Sequence, residues 1–162
     1  MGLQLISPVL FESVSNVTST NSVELGSRRR DADGYEYIYC YNAGNSQLSP
    51  GFGCIVVSGT SGYSVTITSV AGGAHDFVGV VKHATVATAK YGWILYKGFS
   101  KLEAPADSTV TGANYLVLKA DGTFGTLSAT TGKMEPIVAM SDLDVDTASA
   151  GSFLGKVFSP MF

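Results

Sequence analysis

A chain of 162 residues, 45% of them hydrophobic and only 14% charged, is long enough to bury a core without disulfide or metal staples, but it carries little of the charge that keeps soluble surfaces apart. Its net charge of −3 has the wrong sign for a phosphate-tracking surface, and Arg28-Arg29-Arg30 is the one basic cluster, so nucleic acid is excluded as the main partner. No apolar run approaches the roughly 18 residues of a membrane-spanning helix, which excludes that class of membrane partner.

The start, Met1-Gly-Leu-Gln-Leu-Ile6, lacks the positive stretch of a secretory signal. Synthesis in a cytosol is therefore expected, with Cys40 and Cys54 as free, buried thiols. Residues 1–27 open with apolar Leu3, Leu5, Ile6, Val9, Leu10 and Phe11, then turn polar and rich in Ser, Thr and Asn without a helical period. They are expected to form an extended arm that orders on a partner, and residues 28–162 to form the compact domain.

Asp33-Gly34 predicts a two-residue type I′ hairpin. In the strand after it, Tyr35, Tyr37, Tyr39 and Tyr41 share one face by period-two spacing. That face either packs on the core or offers an amphipathic aromatic contact surface. Residues 42–53 read as a loop, and 54–57 and 63–68 as strands. Two apolar runs at 77–81 and 93–96, joined by a small-residue loop ending in Tyr91-Gly92, read as the central pair of the sheet. The chain loosens over 101–111 around Pro105. A hairpin at Asp121-Gly122 joins 115–119 to 123–126, and apolar runs at 136–140 and 153–158 follow. No ten-residue window has a helical moment. The expected fold is all-β, an antiparallel sandwich or barrel-like domain with an extended N-terminal arm.

Residue types suited to catalysis are scarce. His75-Asp76 suggests an orienting pair, yet neighbours on a strand point to opposite faces, and no serine lies in a G-x-S-x-G setting. Cys40, Cys54, His75 and His83 lack metal-site spacing. Asp142, Asp144 and Asp146 alternate like the start of a calcium loop, but the sixth and twelfth positions hold Thr147 and Phe153 instead of Gly and Glu. No enzyme, cofactor or metal is expected.

The ordered pieces Leu25-Gly26, Asp33-Gly34-Tyr-Glu-Tyr-Ile-Tyr39, Leu48-Ser-Pro-Gly51, Phe77-Val-Gly-Val80, Tyr91-Gly92-Trp93-Ile94 ending at Gly98, and Gly112 to Leu116 resemble the capsid decoration, or cement, proteins of tailed bacteriophages. The resemblance spans residues 25–158. It implies a virion protein made in the host bacterial cytoplasm that sits on the outside of the expanded head as a trimer or dimer and binds the major capsid protein. On that view Leu3, Leu5, Ile6, Val9, Leu10 and Phe11 are the expected contacts of the arm, with Arg28, Arg29 and Arg30 as charge anchors. Three rival readings are a fibre or spike module stacking host glycans on the tyrosine row, a shell or tail-tube subunit, and a small hydrolase.

Overall fold

A computed structural model of the chain describes residues 13–57, 63–67, 77–105, 109–110, 116–118, 121–126, 137–139, 143–144 and 151–158. Among these are twelve strands: β1 (Arg28–Arg30), β2 (Glu36–Asn42), β3 (Gly53–Val56), β4 (Ser64–Thr66), β5 (Phe77–Val80), β6 (Tyr91–Ala104), β7 (Thr109–Val110), β8 (Leu116–Leu118), β9 (Phe124–Thr126), β10 (Ile137–Ala139), β11 (Leu143–Asp144) and β12 (Gly151–Phe158). The fold is all-β, as the strand-like runs predict.

The main sheet runs β1-β2-β4-β3-β5-β6-β12-β10, and β2 also pairs with β6. That extra pairing closes β2, β4, β3, β5 and β6 into a five-stranded barrel. The closing pair is antiparallel over Glu36–Tyr41, from Glu36 opposite Lys97 to Tyr41 opposite Tyr91. One seam, β2 with β4, is parallel, and β3 lies between the two in sequence, which supplies the long connection a parallel pair needs. Closure leaves none of the five barrel strands at a sheet edge, so that β1 and β10 end the main sheet.

Two hydrophobic cores result because the central strands are buried on both faces. Ile38 and Cys40 of β2, Cys54 of β3, Val65 of β4, Val78 of β5, and Ile94 and Tyr96 of β6 gather in one cluster. Every barrel strand contributes to it, so it fills the barrel interior. Other residues of these strands, Tyr37, Tyr39, Phe77, Val80, Trp93 and Leu95, form a second cluster with Leu102, Leu116, Phe124 and Val157. This second core lies outside the barrel wall, under the β8–β9 hairpin and β12. At Gly79, in the wall between the cores, an added Cβ would fall on the Leu95 carbonyl of β6, so only glycine lets β5 approach so closely.

Four sequence expectations are corrected. The run 77–81 is not the main partner of 93–96: β5 and β6 pair at Val80–Leu95. The next residue, Val81, instead bonds Gly51 and Phe52, and β6 pairs chiefly with β2 and β12. The first turn is not type I′, because Gly34 has φ +83° while Asp33 is not among the residues with positive φ. Gly34 N–H donates to the Asp31 carbonyl, and the Asp31 carboxylate accepts from the Asp33 and Tyr35 amides. This fixes a three-residue loop with a glycine bulge. β6 does not end near Gly98 but continues to Ala104.

The fourth correction concerns the arm. Residues 13–27 lie on the domain: Thr18 and Tyr91 exchange both backbone hydrogen bonds, and Val14, Val23 and Leu25 pack on the outer core and Val17 on the barrel core. The Thr18 hydroxyl also bonds that of Tyr39 at 2.8 Å. Short apolar residues scattered among Ser and Thr suffice here because the barrel supplies the surface they cover. Residues 1–12, with Leu3, Leu5, Ile6, Val9, Leu10 and Phe11, lie outside the described residues.

Candidate functional site

β6 is the element that builds the outer face. Through Trp93 and Leu95 its odd-numbered side chains enter the outer core. Opposite the Glu36–Tyr37 step it carries one extra residue, Tyr96, a bulge that increases local twist. Two residues later Gly98 takes φ +140° with Tyr35 packed against it. Beyond this point the faces exchange. Ser100, Leu102 and Ala104 are buried, while Lys101 is exposed and Phe99 and Glu103 are partly exposed.

β12 pairs along this second half over eight residues, with Phe158 opposite Lys97, Lys156 opposite Phe99, Leu154 opposite Lys101 and Ser152 opposite Glu103. Directly opposed residues lie on one face. The outward face of the β6–β12 ribbon is therefore a chequerboard of lysines and apolar side chains. Leu154, 46% exposed, and Phe158, 38% exposed, are the exposed large hydrophobic residues among those described. Between the ribbon and the Asp31–Tyr35 turn lies a cleft of about 430 Å³, lined by Asp33, Tyr35, Lys97, Phe99, Lys156 and Phe158, among others.

Charge around the ribbon is arranged in two networks. Glu36 accepts from Lys97 at 2.9 Å and from the Tyr96 hydroxyl at 2.8 Å. The Lys97 bond, then the Tyr96 bond, hold its carboxyl below the usual 4.5. Burial, with Glu36 next, pushes the Tyr96 phenol up. Behind the cleft, Tyr37, fully buried, donates to Asp31 Oδ2 at 3.0 Å and lies 2.9 Å from His83 Nε2. A phenol has one proton. With that proton directed at Asp31, the Tyr37 oxygen accepts from His83, which places the imidazole proton on Nε2. Although His83 reaches the surface, partial desolvation of its ring, then the neighbouring Lys82 charge, push it below 6.5, with Asp31 opposing them. Lys82 donates to the Phe99 carbonyl at 2.7 Å and stands 3.6 Å over the Tyr35 ring. Burial outweighs Asp31 and Asp33 there and lowers its pKa.

The candidate residues from the sequence divide as follows. Arg28, Arg29 and Arg30 form β1 on the edge of β2, and the Arg28 guanidinium stands 5.8 Å from the Tyr96 ring. Tyr37 and Tyr39 are 0% exposed, so the tyrosine row is core at its centre and offers no continuous stacking surface for a glycan. Cys40 and Cys54 are free thiols in the barrel interior, and burial pushes both well up. His83 is bonded to Tyr37 instead of to them, and His75 and Asp76 lie outside the described residues. No group of three or more metal-ligating side chains occurs among the described residues.

No protein-family model matches this chain, and no curated protein does. Among solved structures, it is similar to the head fiber gp8.5 N base in bacteriophage phi29, at 11% identity over 75% of this chain and 93% of that one, with a TM-score of 0.45.

The ribbon face was missed from the sequence although its signal is there. Lys97, Phe99 and Lys101 alternate with inward residues, and so do Leu154, Lys156 and Phe158. The glycine at 98 hides the first alternation by making the run look finished. The Asp31–Tyr37–His83 network had no signal, since it joins residues 46 apart.

Proposed function

We propose that the chain is a structural protein of a tailed-phage virion that attaches to the outside of the expanded head and holds neighbouring coat subunits together. The observation that carries this reading is the ribbon face, an outward strip of exposed apolar and cationic side chains held on a closed barrel. A closed barrel with two filled cores is a rigid platform, and rigidity lowers the ordering cost of binding. The sequence pieces that resemble decoration proteins form parts of this platform: Asp33-Gly34 the β1–β2 turn, Phe77–Val80 the strand β5, and Tyr91 to Gly98 the barrel half of β6.

The mechanism is multivalent. A copy, or a trimer or dimer of copies, touching several coat subunits gains affinity through effective concentration. If it binds only the expanded lattice, it stabilises that lattice by RT ln(1 + [L]/Kd) per site. Leu3, Leu5, Ile6, Val9, Leu10 and Phe11 would add an arm contact, and Arg28, Arg29 and Arg30 a charged one on the β1 edge.

The test is to add purified full-length chain to emptied heads of the parent phage, expanded and unexpanded, and image the particles. Saturable density at symmetry-related positions on expanded heads alone is expected. A single copy at the tail, or no density, overturns the proposal. A thin outward projection ending in a host-binding tip assigns the fibre role instead.

A further inference from the structure

We infer that the outward face of the β6–β12 ribbon is the surface that grips the coat lattice, and that its partner is an acidic strip interleaved with apolar residues. This rests on the head-surface reading above and adds to it the contact residues and the chemistry of the partner.

The case starts from charge. The chain is acidic overall, at −3, yet Lys97, Lys101 and Lys156 all project from one face of two paired strands. Lys97 is committed to Glu36. Lys101 and Lys156 make no ion pair among the described residues. The carboxylates nearest in the pattern are Glu103, at the far end of the ribbon opposite Ser152, and Asp33, on the cleft rim. The middle of the face thus carries two uncommitted ammonium groups flanked by Phe99, Leu154 and Phe158. Exposed apolar residues gathered in one place mark a contact surface, and lysines set among them select the charge of what docks. The cleft beside Phe158 gives an apolar side chain of the partner a place to insert.

Size explains why a lattice is needed. Eight paired residues at about 3.3 Å rise and two strands at about 4.8 Å spacing give a face of roughly 250 Å². A stable binary interface buries about 800 Å² per partner. One ribbon therefore binds weakly and gains its hold only when several copies, or further contacts of the same copy, act together.

The experiment measures binding of the full chain to emptied, expanded heads of the parent phage by co-sedimentation over a range of salt concentrations. Lys101→Glu/Lys156→Glu is compared with wild type and with Lys90→Glu, a loop lysine away from the ribbon. The double variant should bind at least about tenfold more weakly and Lys90→Glu as wild type does. Leu154→Ser should weaken binding without changing its salt dependence. Trp93 fluorescence checks that each variant folds, and Lys101→Gln/Lys156→Gln serves if charge reversal impairs folding. Wild-type binding by the double variant overturns the inference and leaves the head-surface reading standing. Failure of wild type to bind removes both. Wild type that self-associates without heads, where the double variant stays monomeric, assigns the face to a second copy and also overturns it.

Discussion

Tyr37→Phe isolates the network behind the cleft, because it removes one oxygen and keeps the ring that fills the core. Two hydrogen bonds go with that oxygen, one to a carboxylate and one to an imidazole. A bond to a charged group contributes about 1.5–3 kcal/mol and a neutral one about 0.5–1.5. Some of the loss is recovered, since Asp31 keeps the Asp33 and Tyr35 amides and His83 is at the surface, within reach of water. A net cost of about 2 kcal/mol remains, or a fall in Tm of roughly 4–8 °C for a domain of this size. Urea unfolding followed by emission of Trp93, the one tryptophan in the chain, measures it directly, with an unchanged m-value confirming that the unfolded state is the same. In a cycle with His83→Gln the two changes should couple by at least about 0.5 kcal/mol. A Tyr37→Phe cost below about 0.5 kcal/mol, or strict additivity, would refute the claim that this network ties the first turn to the β5–β6 loop.

Other perturbations address the rest of the fold. The folded-state pKa of His83 lies below its ordinary 6.5, so as pH falls the unfolded chain takes up the proton first; stability should decline from about pH 7 downward through that window, and His83→Gln should flatten the decline. Glu36, held low by Lys97, should add its own loss only below pH 4.5, which Glu36→Gln removes. Gly79→Val places side-chain atoms on the β6 backbone and should cost about 3 kcal/mol or more; retention of wild-type stability in chemical unfolding would show that β5 is free to move away. Trp93 buries its indole with Nε1 lacking an acceptor among the described residues, so Trp93→Ala should cost about 3–5 kcal/mol and Trp93→Phe distinctly less, as read by circular dichroism. Cys40 and Cys54 should react with a thiol reagent only at the rate of unfolding, and rapid labelling of the native protein would contradict their burial.

How much the chain announced in advance follows from how each feature is encoded. Residues 35–41 and 93–96 are dense in aromatic and β-branched side chains, and both were identifiable as strands. Their pairing with each other was not, because β2 and β6 meet across some fifty residues and nothing local specifies a partner. Arg28–Arg30 does not alternate and so resembles a loop, although its backbone completes the edge of β2. The polar residues 13–27 have too few apolar groups to suggest docking until the exposed flank of the barrel is known. Burial of both faces also removes the polar–apolar rhythm from β2 and β5, which leaves no hint that two cores exist. The ribbon was the portion of the site within reach, since its alternation is regular once the phase change at Gly98 is allowed for.

A further consequence follows from β6 serving as a barrel stave over its first half and as the mount for β12 over its second. A load applied to β12 along the strand axis passes through its antiparallel pairing into β6, whose continuous covalent chain carries it to the junction with β2. There the antiparallel rungs lie across the direction of pull, so they must slide together and cannot open in sequence like a zipper. Lengthwise tension is thus shared among all of them, whereas a force lifting the end of β12 outward would strip its bonds singly and detach it at much lower load.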